Sequence, residues 1–537
     1  MLKSRKLMVF AIALLFVLCA GCAPGGSEGT PMNPPVSGGQ TSETLEADII
    51  VTSVGKSVPI TIRNAQKGET FSYRFENDDI YIDEATSEVE GMLAGTVTKV
   101  FVTGSSGRSG EFDVRVEEDL FSEGKGSDEV VSSDLFDEIE VDPISGLAPD
   151  VPLGIDISEV YENQANGAKY YNADGVRQNV YQILKDSGVN YVRIRLWADP
   201  YNRTAEGNPI PYGGGICDLP RVVAMACDAK RAGLKVLLNL HYSDFWAHPG
   251  QQVIPKEWAG VKTEEEMSAA VQGYTVKVLK TMDEAGALPD MVQIGNETST
   301  GMLLNLPGKD SPGLTGGNPG YISGKTDLSS DIAGTDSGNF VKYVKAANEA
   351  IKEYNSEILT AVHYAPTHGH FDVTSFNFFK SLKDENIDFD VIGLSYYLYY
   401  HGEIEAFKKD VKKLSETFPD KMISIFETSY GYTDALDADA GNVFWSMNTQ
   451  SGTARAVYGY EVSPQGQANV IHDQLSALYE AVGDRCGGIF YWAGCWTPVS
   501  GVGWGDADTK NSWSNQALFS YEGKALPSLS VFQKLIG

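Results

Sequence analysis

Two glutamates each close a run of apolar residues: Glu297 in MVQIGNE (291–297) and Glu427 in MISIFET (422–428). A carboxylate in such a setting is costly unless it has a partner or a task. A facing pair of carboxylates is the equipment of glycoside hydrolysis, in which one protonates the leaving oxygen while the other attacks or activates water. The competing reading makes each an unrelated ion-pair partner, for instance of Arg193 or Arg195. Asn296 directly before the first glutamate and Thr428-Ser429-Tyr430 directly after the second favour the catalytic pair.

Such a pair needs a frame that brings distant strand ends together. From Gly154 onward, short apolar runs alternate with longer amphipathic stretches, the pattern of parallel strands and crossover helices. The runs are GIDIS, YVRIRLW, KVLLNLHYS, MVQIGNE, ILTAVHY, VIGLSYY, MISIFET and GGIFYWA. Eight such units predict an α/β fold, the (β/α)8 or TIM barrel, over 149–537. An open doubly wound sheet is the competitor, but no GxGxxG follows the first run. In a barrel the chemistry gathers where strands end and βα loops begin. Those ends carry Arg193, Arg195 and Trp197; His241, Tyr242 and Asp244; Asn296 and Glu297; His363 and Tyr364; Tyr396 and Tyr397; Glu427; and Tyr491 and Trp492. Trp246, Trp496 and Trp504 lie on or just beyond strand ends. Aromatic faces with polar groups among them suit a sugar site.

The N-terminal part is organised differently. Lys3, Arg5 and Lys6 precede an apolar run from Leu7 to Ala20 that ends LCAGC, the layout of an export signal (1–22). Cys22 resembles the lipidated cysteine of a bacterial lipoprotein, so the expected location is the cell surface, with plain secretion as the alternative. Residues 23–46 read as a flexible linker. Period-two alternation over 47–118 predicts six or seven strands in a small all-β Ig-like sandwich. Residues 119–148 read as an acidic linker. The sandwich carries Phe71, Tyr73, Phe75, Tyr81, Phe101 and Phe112 but no tryptophan, which favours a spacer over a carbohydrate-binding module.

A formal net charge of −30 argues against nucleic acid as a partner, since phosphate calls for a basic face. Cys217, Cys227, Cys486 and Cys495 are not spaced as a CxxC pair or a zinc site, and free thiols are expected.

The barrel region resembles glycoside hydrolase family 53, the arabinogalactan endo-β-1,4-galactanases. The resemblance is carried by KVLLNLHYSDFWAHP, MVQIGNETSTGM, FETSYGYT, GIFYWAGCW and NQALFSYEGKALPSLSVF. It implies Glu297 as acid/base, Glu427 as nucleophile, retention of anomeric configuration, and Arg193, His241, Asn296, His363, Tyr396 and Trp492 around the sugar. Asp244, Trp246 and Trp496 complete the expected substrate-binding set. The expected partner is a polysaccharide, β-1,4-galactan, met by a monomer that touches a membrane only through its anchor. The nearest alternatives are a mannanase or glucanase of the same clan and a surface glycan-binding protein that does not cleave. The chain departs from the family pattern at Leu398, His248 and Ala493-Gly494. No cofactor is required for the chemistry. Bacterial members often hold calcium between the last two loops, for which Asp437, Asp439 and Asn442 are candidate ligands. Ala440 stands where the family has a histidine, and Asn511 and Ser514 replace further partners.

Overall fold

The computed structural model describes residues 44–47, 50–53, 57–77, 79–92, 96–117, 137–203, 209–307, 321–325, 338–366, 371, 373–435, 444, 457–504 and 511–536. Cys22, Asp437, Asp439 and Asn442 lie outside them. Among the described residues no helix is long and apolar enough to cross a membrane.

Eight parallel strands close into a barrel: β1 (Leu153–Asp156), β2 (Tyr191–Leu196), β3 (Lys235–Leu240), β4 (Met291–Ile294), β5 (Leu359–Tyr364), β6 (Val391–Ser395), β7 (Met422–Thr428) and β8 (Cys486–Tyr491). Strand β8 returns to β1 in parallel register, Ile489 opposite Leu153, which completes the ring. All eight runs read from the sequence are strands, for a simple reason. A strand covered by helices on one side and barrel filling on the other is apolar on both faces.

The outer helices start where side chains can satisfy free N–H groups. Helix α1 (Val180–Asp186) is capped by Asn179 and α2 (Leu219–Arg231) by Asp218. Helix α3 (Glu264–Glu284) has a full capping box, Thr263 and Glu266 bonding each other's backbone N–H groups. Helices α4 (Gly338–Tyr354), α5 (Val373–Asp384), α6 (Ile404–Thr417) and α7 (Pro464–Val482, capped by Ser463) follow.

Inside the ring, Tyr191, Leu237, Met291, Ala361, Val391, Phe426 and Phe490 form one packed layer drawn from seven strands. Small residues make room for its rings. A Cβ on Gly154 would lie 2.1 Å from the Phe490 ring, and one on Gly393 2.2 Å from the Phe426 ring. Above this floor the inward positions turn polar: Asp156, Arg193, Asn239, Gln293 and His363, all buried.

The N-terminal region is a two-sheet sandwich of seven strands. One sheet holds 50–53, 109–117, 96–104 and 71–75, the other 57–59, 88–91 and 80–83. Its core is aliphatic, with Phe112 buried and Phe71, Tyr73 and Phe75 packed at its edge. Tyr81 stands apart, 55 % exposed.

Candidate active site

Glu427 reaches the barrel mouth through a local irregularity. Opposite β6, Leu394 pairs with Ile425 but Ser395 pairs with Glu427, so β7 has one residue too many. Strict alternation would turn Glu427 away from the interior, because its neighbour Phe426 already fills the floor. The bulge lets both point inward, a common device beside active sites. Glu297 arrives by another route. Beyond the end of β4, Gly295 (φ 76°) and Glu297 itself (φ 45°) take left-handed conformations. That is unusual for a residue with a Cβ, and strain of this kind gathers at functional sites.

The two carboxylates meet. Oxygens of Glu297 and Glu427 and a ring nitrogen of His363 all lie within 4.8 Å of one another. Inverting glycosidases hold their carboxyls about 6.5–9.5 Å apart to leave room for water, whereas retaining ones hold them at about 5–5.5 Å. The spacing here is of the retaining kind.

Their surroundings divide the labour. Arg193 Nη2 donates to Glu427 Oε1 at 2.8 Å and Tyr397 Oη donates to Oε2 at 3.0 Å. Arg193 is anchored in turn by Asp156 (2.8 Å), Gln293 (3.1 Å) and Asn296 (3.0 Å). Among the described residues Glu297 has no such cation within hydrogen-bond reach, and its carboxylate accepts one hydrogen bond, from Ser395 Oγ at 2.7 Å. Burial pushes both carboxyls up; the Glu427 charge adds to the rise at Glu297 and takes it to about 8. At Glu427, Arg193 and Tyr397 oppose the rise. The proton of the pair therefore belongs on Glu297, and Glu427 stays anionic.

His363 links the two sides. Its Nδ1 faces two N–H donors, Gln293 Nε2 at 2.9 Å and the Glu297 backbone at 3.2 Å, which assigns the proton to Nε2, 2.9 Å from Ser395 Oγ. Burial, and then Arg193, hold His363 far below the ordinary histidine range, so it is neutral. Glu297, His363 and Glu427 also have the spacing of a metal ligand set. Both His363 nitrogens are already engaged and a guanidinium lies on Glu427, so the donor set does not suit a cation.

Asn296 Oδ1 accepts from Arg193, Asn239 and Gln293, while its Nδ2 donates to Ala247 O at 2.8 Å. His241 is buried, accepting from Trp197 Nε1 (3.2 Å) and the Ala247 N–H (3.1 Å), and so supports the loop after β3. Trp246 stacks on Trp504 with ring centres 4.6 Å apart and an 11° tilt. Trp492 packs against Trp246, Trp504 and Trp513. Trp504 is 37 % exposed and presents this cluster to solvent.

Three expected substrate contacts are placed elsewhere. Tyr396 is fully buried, stacks on Phe407 at 4.0 Å and donates to Gly402 O. Ser395 points inward, so its neighbour points outward, and Tyr397 is the tyrosine that reaches Glu427. Asp244 is tied to the Lys256 backbone N–H at 2.8 Å and fixes a loop. Trp496 is fully buried, with its indole N–H on Val502 O at 2.9 Å. Sequence reasoning passed over Gln293, Ser395 and Asp156. Each sits on an inward position of a strand already identified, and counting by twos from its neighbours would have found it.

Near the expected calcium site, Asn511 Oδ1 accepts from Trp513 N (2.8 Å), and Asn515 joins the loops after β7 and β8 through Thr433 O (3.2 Å) and Tyr432 N (2.9 Å). Among the described residues there, Ser514 Oγ and Asn515 Oδ1 are buried without a hydrogen-bond partner. Among the described residues, Cys217, Cys227, Cys486 and Cys495 form no disulfide, and Cys217 and Cys495 are buried.

A parallel (β/α)8 barrel with two carboxylates meeting on its β4 and β7 ends defines a glycoside hydrolase. Residues 152–532 match the model of Glycosyl hydrolase family 53, and the chain belongs to that family. It is 32 % identical over 435 residues to an endo-β-1,4-galactanase of Bacillus subtilis (strain 168), covering 75 % of this chain and 90 % of the relative. It is 30 % identical to an arabinogalactan endo-β-1,4-galactanase of Cellvibrio japonicus (strain Ueda107), covering 72 % and 93 %. Among solved structures, the family 53 catalytic domain of Ignisphaera aggregans matches with a TM-score of 0.63 and 38 % identity, covering 74 % of this chain and all of that one.

Proposed function

We infer that this protein is an endo-β-1,4-galactanase, cleaving β-1,4-galactosidic bonds within galactan and type I arabinogalactan. The observation that carries the mechanism is the unequal treatment of two adjacent carboxyls. Glu427, oriented by Arg193 and Tyr397, attacks the anomeric carbon while Glu297 gives its proton to the leaving oxygen. Water then releases the glycosyl-enzyme, with Glu297 acting as base. Two inversions retain the β configuration. Carboxylates and water suffice for this chemistry.

The decisive experiment is NMR of the first-formed product from linear β-1,4-galactan, run beside the Glu427→Gln variant. The expected result is β-anomer from the wild type and bound, uncleaved galactan with the variant. An α product, or cleavage by the variant at the wild-type rate, would refute the assignment. Activity on β-mannan or β-glucan but not galactan would move the substrate to the alternatives of the same clan.

Three finer points belong to the same proposal. The chain acts as a monomer, to be checked by sedimentation. It is exported and anchored at Cys22. A calcium ion between the last two loops draws on Asp437, Asp439 and Asn442, hard oxygen ligands of the kind calcium takes. EDTA lowering Tm with no change in the chemistry supports that ion, and an unchanged Tm removes it.

A further inference from the structure

Near Asp156 and Arg195 lies a buried acid that the mechanism does not use. Glu159 follows β1 and is wholly inaccessible. Among the described residues, neither of its carboxylate oxygens has a hydrogen-bond partner, and neither do Nε and Nη1 of Arg195, also buried. Arg195 Nη1 stands 3.9 Å from Glu159 Oε2 and 3.7 Å from Asp156 Oδ1. Among the described residues, the one hydrogen bond of its guanidinium runs from Nη2 to Gly214 O.

The guanidinium has other neighbours. Its carbon lies 4.4 Å from the ring centre of Trp246, 5.2 Å from Trp197 and 5.9 Å from Trp496. Gly214 closes the space, since a Cβ there would come within 2.9 Å of both Trp246 and Trp197. Trp246 in turn backs the exposed Trp504. A chain of contacts therefore leads from Glu159 through Arg195 to the tryptophan cluster, a wall of the barrel mouth.

We propose that Glu159 is a positioning residue for that wall, acting on substrate affinity through Arg195 without touching sugar or the catalytic pair. When Glu159 is neutral, the charge of Arg195 rests on Asp156 and on the indole faces. When it is ionised, a second carboxylate competes for the guanidinium and draws it from Trp246. The other titratable groups around Glu159 are Asp156 on β1, Cys217 after β2, Tyr170 before α1 and Cys495 after β8. Burial raises both thiols and the phenol, so these are neutral, leaving Arg195 as the cation and Asp156 as the other anion. Burial, then Asp156, push Glu159 up to about 8, against the pull of Arg195.

The proposal rests on the galactanase reading, and the test separates the two. The full chain is prepared as Glu297→Gln, which slows hydrolysis about 10²- to 10⁴-fold and removes the titration of Glu297, and as Glu297→Gln with Glu159→Gln. Tryptophan fluorescence of the free proteins is followed from about pH 6 to about pH 10, a window that brackets the Glu159 transition and in which the double variant carries any histidine contribution. Binding of β-1,4-galactotetraose is measured calorimetrically at the same points. The expected result for the single variant is a fluorescence transition centred near 8. Affinity should fall about two- to fivefold across it, the worth of one cation–π contact. In the double variant both should be flat, and its folding is checked by Tm at about pH 6, where Gln mimics the neutral acid. A transition that persists in the double variant, no transition in the single one, or a transition without a change in affinity would overturn the proposal. Failure to bind at every pH would count against galactan as the substrate, and the fluorescence would still decide for or against Glu159.

Discussion

The proton on Glu297 has consequences for rate and for stability. As general acid it works only while protonated, so kcat/KM should hold below its pKa and fall as pH rises through about 8. Glu297→Gln should cost about 10²- to 10⁴-fold in kcat, the usual worth of an acid–base group. Stability moves in the same direction. A carboxyl raised in the folded state binds more protons there than when unfolded, so its favourable contribution is present at low pH and is lost as pH climbs from about 4.5 through 8. Glutamine carries no such ionisation. Tm measured across that window should therefore show the variant above the wild type at pH 8, with the gap closing toward pH 5. A constant gap would mean that Glu297 does not hold the raised pKa. The sequence showed that Glu297 was out of place. It could not show Ser395 and His363 holding that carboxyl, because those contacts cross three strands.

At the scale of the strands, apolar runs announced the barrel, because each strand is buried on both sides and needs no long-range information to be recognised. Facing was harder to read. Phe426 and Glu427 are adjacent yet both point inward, and the bulge responsible is a property of how β6 and β7 pair. Tyr396 is turned away for the opposite reason: alternation held at the end of β6, which buries Tyr396 and brings Tyr397 to Glu427. Trp496 and Asp244 lie at strand ends, as expected of site residues, but the loops fold them inward as packing and as a brace. The ring floor has a testable tightness of its own. Gly393→Ala would set a methyl against the Phe426 ring, and overpacking of this kind costs about 1–3 kcal/mol. The denaturation midpoint should fall with an unchanged slope. Because Phe426 neighbours the nucleophile, kcat should fall as well, and a stability loss with full kcat would separate the floor from the site.

Across the whole molecule, the sandwich and the barrel differ in how much of their role is legible. A strand pattern and an aliphatic core suffice to make the sandwich fold, and its lone exposed Tyr81 offers little of the aromatic surface that glycan binding needs. The anchor proposal belongs at this scale as well. Cys22→Ser should move the protein from the membrane fraction to the medium, and metabolic labelling with a fatty acid should mark the wild type alone. Equal release of both would leave simple secretion. The polar network at the mouth has a further bearing on how the chain acquires its activity. Asp156, Arg193, Gln293, His363, Ser395 and Glu427 come from six different strands, the first and the seventh among them. No fragment of the barrel holds the set. On refolding, catalysis should return only after the ring has sealed, later than any helical signal, which makes hydrolysis itself a clock for the closing of the fold.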